Sequence, residues 1–289
     1  MVCNRRAFGL VELLIVMSII ALLIALLLPT VRNARQEAMG LKCLSQMRQL
    51  AAAASMYSYE NRGWLASSDT VGPLYPQNFT DQTGAKIFPV VDATHTWVGW
   101  VDGGPSAVAL QNGTLWKYLR TAQVYKCPAD FNEYRNRSYS MNAYLCSGTP
   151  TGVASYFNVQ KVSQIRNASE AIAFAEESAS TVAAGSQNQW NLNGWQEYPM
   201  SADSIPALAT KDMWVDAVAS WHRHGANFAF VDGHAEYWRF SDPRTISFLQ
   251  NAAVSSLVSL RTPHNVDLDR IRRGIATWGF VRTPTPSDK

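Results

Sequence analysis

Residues 5–31 read RRAFGLVELLIVMSIIALLIALLLPTV, and the nineteen positions from Leu10 to Leu28 hold one charged side chain, Glu12. At 1.5 Å per residue a helix over this run is about 28 Å long, close to the hydrocarbon thickness of a bilayer. The run reads as a membrane segment. Arg5 and Arg6 precede it and stay cytoplasmic under the positive-inside rule, which sends the chain after about residue 30 to the far side. A cleaved secretory signal would have a shorter apolar core closed by a small-x-small site, whereas this run continues through Pro29-Thr30-Val31 to Arg32. A plain signal anchor leaves Glu12 unexplained. A carboxylate inside a spanning helix costs up to about 3 kcal/mol and is rare without a partner, so this position calls for a cation.

The stretch Arg5-Arg6-Ala7-Phe8-Gly9-Leu10-Val11-Glu12 resembles the prepilin signal of type IV pilin-like proteins and type II secretion pseudopilins. In that signal a basic leader ends in a small residue, a prepilin peptidase cuts before Phe, and Glu stands fifth in the mature chain. The resemblance implies a leader of residues 1–7, a cut between Ala7 and Phe8, and N-methylation of Phe8. Ala7 and Gly9 depart from the family's commoner Gly before the cut and Thr after the Phe. The amino group released on Phe8 would neutralise the Glu12 carboxylate in the bilayer or the filament core, where low dielectric strengthens the pair. Phe8 and Glu12 are then assembly residues, since a buried charge answered by a terminus fixes the stagger of one helix against the next. Pro29 is the twenty-second residue counted from Phe8, where pilin helices commonly carry a proline that kinks or melts the helix. A helix-end proline at the membrane boundary is the competing reading of that position.

Beyond the membrane, Val31, Ala34, Ala38, Leu41, Leu44, Met47, Ala51 and Ala54 recur every three or four residues, with Arg32, Arg35, Lys42 and Arg48 available for another side. One helix over residues 8–61 is the economical reading, its membrane part about 10–28. It stops where Asn61 and Gly63 supply a C-terminal cap. Residues 62–282 form the head and 283–289, with Pro284 and Pro286, a frayed tail.

Within the head, 64–107 reads as loops with short strands such as Ile87–Val91. Gly113–Leu119 suggests a short helix, and Ser138–Tyr144 and Ala171–Ala175 are strand-like. Gln187–Tyr198 suggests an exposed loop pinned by Trp190 and Trp195. Asp232-Gly233 between Asn227–Val231 and His234–Trp238 predicts a β-hairpin with a two-residue turn, both turn positions at positive φ. Thr245–Leu260 and Asp267–Trp278 read as helices separated by a loop at Pro263-His264-Asn265. The fold class expected is α+β: a long N-terminal helix laid along an antiparallel sheet.

His222, nine residues, then Asp232-Gly233 is similar to the H-X9-DG signature of a large pilin-like family that carries prepilin-type N-termini. The segments Cys43-Leu44, Met56-Tyr57, Trp116–Leu119, Cys127–Asp130 and Ser138–Ala143 are similar to that family too. Three cysteines lie outside the leader, Cys43, Cys127 and Cys146, with no CxxC pairing. By their residues alone they are three buried thiols or a Cys127–Cys146 bridge over a short loop, worth about 3 kcal/mol. The resemblance implies a rival Cys43–Cys127 bridge.

The formal charge of +3 falls by two if Arg5 and Arg6 leave with a leader, so no strongly basic surface points to nucleic acid. No GxSxG, P-loop, HExxH or dinucleotide-binding glycine pattern is present, and an enzymatic role is not expected. Glu176 and Glu177 are adjacent, point to opposite faces of a strand, and suit solvation or a salt bridge rather than paired acid–base work. His222, His224 and His234, with Asp232, are the metal-ligand candidates, but a structural role for His222 is favoured, bonding the turn or a backbone carbonyl. No metal or cofactor is expected. The function implied is a structural subunit of a pseudopilus or pilus-like fibre, anchored in the inner membrane with its head in the periplasm or outside. Its partners would be a prepilin peptidase, other pilin-like subunits, an inner-membrane platform and an assembly ATPase. The rival is a membrane-tethered binding or enzymatic domain, with the Trp-rich loops and the His222–Asp232–His234 region as its site.

Overall fold

The computed structural model describes residues 9–68, 96–98, 107–131, 136–146, 159–177, 212–214, 218–251 and 260–275. The leader with Ala7 and Phe8, the Ile87–Val91 run, the Gln187–Tyr198 loop and the 283–289 tail lie outside the described residues.

The first element, α1, spans Leu10–Glu60, about 77 Å of helix at the standard rise. Its sequence holds no glycine before Gly40, and its apolar first half is mostly Leu and Ile. At the start, the Gly9 N–H donates to Glu12 Oε2 at 2.8 Å, closing a free amide of the first turn. Pro29 sits inside the helix, where its missing N–H leaves the Ala25 carbonyl without its usual intrahelical donor. The helix runs on without a break, so a local melt at Pro29 is not observed. At the other end the Asn61 N–H and Nδ2 both donate to the Tyr57 carbonyl, at 3.0 and 2.8 Å, and the Gly63 N–H reaches the Ser58 carbonyl at 2.8 Å. Gly63 takes the left-handed conformation at φ 84°, which closes the cap as the Asn and Gly predict.

Residues 9–38 are exposed throughout, and burial on α1 begins at Met39-Gly40. Cys43, Gln46, Met47, Leu50, Ala51, Ala53, Tyr57 and Ser58 form the buried face. The stripe expected from the sequence is therefore half right. Val31 and Leu41 are 61% and 59% exposed, while Met47 and Ala51 are buried. The apolar residues from Leu10 to Ala38 are all exposed.

The distal half of α1 packs along a four-stranded antiparallel sheet. From one edge to the other its strands are β1 (Tyr139–Met141), β2 (Ile172–Glu176), β4 (Gly225–Phe230) and β5 (Ala235–Arg239). Every residue of β1, β2 and β4 is buried, whereas on β5 only Ala235 and Trp238 are, with Glu236, Tyr237 and Arg239 exposed. Phe174 stands edge-on to Trp97 with ring centroids 5.4 Å apart, and Phe228 lies 4.6 Å from Trp238. Short helices α2 (Ala107–Gln111) and α3 (Trp116–Leu119) and a 3-10 turn at Ala122–Tyr125 precede the sheet. At the end of α1, Glu60 accepts hydrogen bonds from Lys117 Nζ at 2.5 Å and Tyr118 Oη at 2.8 Å. Burial first, then the Glu60 bond, pushes the Tyr118 phenol up to about 12. This α+β layout, a long apolar helix leading onto an antiparallel sheet, is pilin-like.

Three sequence expectations need correction. The hairpin turn has three residues, Val231, Asp232 and Gly233, because Ala229 pairs with Ala235 and the Phe230 N–H reaches the His234 carbonyl at 2.9 Å. Gly233 alone has positive φ, 97°. A tight turn closed by the Gly233 N–H on the Phe230 carbonyl (3.0 Å), followed by a left-handed residue, is the next commonest way to match strand twist. Of the helix expected over 245–260, the described part is α4, Pro243–Asn251, residues 252–259 lie outside the described residues, and Leu260-Arg261 form strand β6 against β3 (Met213–Trp214) instead. That pairing is with a segment more than forty residues away, which local periodicity does not see. The last helix, α5 (Val266–Ile275), starts one residue earlier than expected because Asn265 Oδ1 accepts the Asp267 and Leu268 N–H groups, both at 3.0 Å.

Candidate functional site

Two regions are candidates: the exposed half of α1 and a buried polar node where α1 meets the sheet.

In the first, every large apolar side chain from Leu10 to Leu28 is exposed, and the segment passes the length and hydropathy test for a membrane-crossing helix near the N-terminus. Of the three residues expected to matter there, the structure describes Glu12 and Pro29. The Glu12 carboxylate folds back over the helix start onto the Gly9 N–H. It is thereby held one residue from the nitrogen that a cut after Ala7 would release. A carboxylate in the first turn is also favoured by the helix dipole.

The second region assembles from five segments. Cys43 on α1 and Cys127, just after the 3-10 turn, are joined in a disulfide, Cα atoms 5.3 Å apart, across 84 residues. Cys146 is buried outside that bridge. His222 Nε2 lies 3.2 Å from Cys127 Sγ and 3.2 Å from Glu176 Oε1. Glu176 ends β2 and is fully buried. Its Oε2 accepts the Asn227 N–H at 2.8 Å and its Oε1 the Asn227 side-chain amide at 2.9 Å. These donors are what make a buried carboxylate tolerable.

The surroundings hold each member in place. Tyr237 Oη donates to the His222 carbonyl at 2.6 Å, and burial raises the Tyr237 phenol above its ordinary range, keeping it a donor. Burial, then the charges of Glu176 and Asp130, does the same for Tyr139, whose Oη donates to Gln46 Oε1 on α1 at 2.7 Å. The His222 ring lies against α1 at Gly40, where an added Cβ would stand in ordinary contact, 3.5 Å from Nδ1. The Cys127 N–H donates to Ser138 Oγ at 3.1 Å, and Ser138 Oγ to Asp130 Oδ2 at 2.5 Å.

Several site expectations change. Solvation is the wrong role for Glu176, because its lone pairs are taken up inside the core. Glu177, half-buried, accepts a hydrogen bond from Ser140 Oγ. Among the described residues the His222 ring bonds neither the turn nor a backbone carbonyl but meets a carboxylate and a sulfur. Nor do the histidines converge. His222 precedes β4 and His234 follows its far end, where Asp232 Oδ1 lies 2.5 Å from His234 Nδ1 and the imidazole stacks on Phe230 at 4.3 Å. Among the described residues, the one His, Cys, Asp and Glu group compact enough to hold a metal is Cys43, Cys127, Glu176 and His222. Sequence spacing could not reveal it, because each member is between 46 and 84 residues from its nearest partner in the chain. The signals that were visible are a fixed distance from His222 to the Asp-Gly turn and a Glu ending an apolar strand run.

Comparison with known proteins bears on the first region. Residues 3–28 match the prokaryotic N-terminal methylation motif. The chain thus carries a prepilin-like signal, and its apolar helix is consistent with a single-pass membrane anchor. No curated protein and no solved structure matches the chain.

Proposed function

We propose that this chain is a structural, non-enzymatic subunit of a type II secretion pseudopilus or a type IV pilus-like fibre. A prepilin peptidase cuts it between Ala7 and Phe8 and methylates Phe8. It waits in the inner membrane with its head in the periplasm or outside, then joins like subunits through an inner-membrane platform and an assembly ATPase. One observation carries this reading: an apolar helix segment, exposed at every position, bears a single carboxylate held at its own N-terminus. Such a segment needs a lipid or protein environment, and its Glu12 needs a cation, which a newly cut Phe8 amino group supplies at the place where the carboxylate already sits. The matched methylation motif fits that chemistry.

The test is mass spectrometry of the protein from its host together with the Glu12→Gln variant. A mature chain starting at N-methyl-Phe8, and a variant that is cleaved normally but drops out of sheared fibres by at least about tenfold, is the expected result. A mature chain that keeps Met1, or a Glu12→Gln variant that enters fibres like the wild type, overturns the reading in favour of a tethered head.

A further inference from the structure

The bridge between Cys43 and Cys127 has company that a disulfide does not require. A disulfide has no net charge and sits comfortably among apolar side chains, yet here it faces a carboxylate with no solvent exposure and an imidazole that is 5% exposed. One sulfur of each cysteine, an imidazole nitrogen and a carboxylate oxygen all lie within 4.8 Å of one another. They come from four places in the fold: α1, the loop after the 3-10 turn, the end of β2 and the turn before β4.

We propose that the dithiol form of this node is a four-ligand site for a divalent ion of the zinc class, held by Cys43 Sγ, Cys127 Sγ, His222 Nε2 and Glu176 Oε1. The donor set decides the ion. Two thiolates, one imidazole and one carboxylate suit a tetrahedral zinc-type centre, whereas calcium and magnesium take oxygen ligands and six or more of them. Four protein ligands leave no open position, as in structural rather than catalytic sites.

The outer contacts support the same assignment. The Ala129 N–H donates to Cys127 Sγ at 3.4 Å, a bond that favours a thiolate. The Asn227 N–H and side-chain amide hold the Glu176 carboxylate at 2.8 and 2.9 Å, orienting it as the outer partners of metal ligands do.

The chemistry balances simply. A dithiol reductant supplies two electrons and two protons, the S–S bond opens to two thiols, and the reductant leaves as its own disulfide. The incoming ion displaces both thiol protons and accepts lone pairs from the imidazole and the carboxylate, leaving the centre with one net negative charge. Oxidation and metal occupancy exclude each other, because a bridged sulfur is no longer a thiolate ligand. Either state ties α1 to the sheet, so the head keeps its grip on the long helix whether the compartment is oxidising or reducing. The proposal is independent of the filament reading.

The test uses the full chain in detergent carrying Cys3→Ser and Cys146→Ser, reduced with a dithiol that is then removed without air, and titrated with Co²⁺ as a spectroscopic stand-in for Zn²⁺. The expected result is one Co²⁺ per chain, with a thiolate-to-cobalt charge-transfer band and intense tetrahedral ligand-field bands that Zn²⁺ abolishes. The disulfide form should show none of this. Cys127→Ser should lose the charge-transfer band in large part, and His222→Ala and Glu176→Gln should each weaken binding at least about tenfold. If reduction unfolds the chain, near-ultraviolet circular dichroism supplies the second reading: Zn²⁺ must restore the native signal in the reduced wild type and not in His222→Ala. A reduced chain that neither binds Co²⁺ nor regains its fold with Zn²⁺, or a His222→Ala chain that binds as tightly as the wild type, overturns the proposal.

Discussion

At the scale of single residues, Glu176 does the most in the head. Its carboxylate takes two hydrogen bonds from Asn227 and faces His222, with no water exposure. Removing it strands two buried donors and leaves the imidazole beside the bridge without its counterpart, and breaking a buried pair from one side costs about 3 kcal/mol or more. Glu176→Ala should therefore lower the stability of the oxidised protein by about 3 kcal/mol in urea titration, while Glu177→Ala, at a half-buried position, should cost less than about 1 kcal/mol. Equal losses for the two variants would mean that Glu176 is not an anchor of the head. The sequence could not rank them. Two adjacent glutamates after an apolar run look alike until the partners of each are known, and Asn227 is 51 residues away. Glu12 is the opposite case, since a lone charge in a nineteen-residue, almost wholly apolar run is conspicuous without any structure.

At the scale of elements, legibility followed the range of the determining interactions. Helix α1 was readable because composition, periodicity and the Asn61–Gly63 cap are all local, and β4 with β5 because an Asp-Gly turn joins them. What escaped was set by distant contacts. The pairing of β6 with β3 replaced the end of an expected helix, and burial on α1 starts only where the head begins, which no helical period announces. The hairpin itself gives a prediction. Gly233 has φ 97°, and an alanine Cβ at this position would have nothing within 4 Å, so Gly233→Ala meets no clash and costs only backbone strain. That cost is about 1–2 kcal/mol, and thermal unfolding should register a loss of that size. Gly225→Ala should be worse, because its Cβ would fall 2.3 Å from the Trp238 carbonyl oxygen, where backbone must move. A Gly233→Ala change as damaging as Gly225→Ala would mean that the turn is packed rather than strained.

At the scale of the whole molecule, α1 serves two environments that barely communicate. Residues 9–38 are exposed, and their described tie to the head is the Arg223–Glu37 ion pair, 2.7 Å long with both side chains more than half exposed. Such a surface pair is worth at most about 1 kcal/mol. From Gly40 onward the helix belongs to the head core, and the Cys43–Cys127 bridge spans 84 residues, a loop whose closure is worth about 4.6 kcal/mol in the chain-entropy model. The boundary between the two regimes is therefore sharp and lies between Ala38 and Cys43. A chain truncated to residues 39–289 should be soluble without detergent, keep the bridge, and match the full chain's urea stability to within about 1 kcal/mol. Truncation to 44–289 removes Cys43 along with one turn of helix, and should lose several kcal/mol and expose Cys127 to alkylation. If both truncations unfold alike, the exposed half of α1 contributes to the head after all, and its lack of burial does not mark a division of labour.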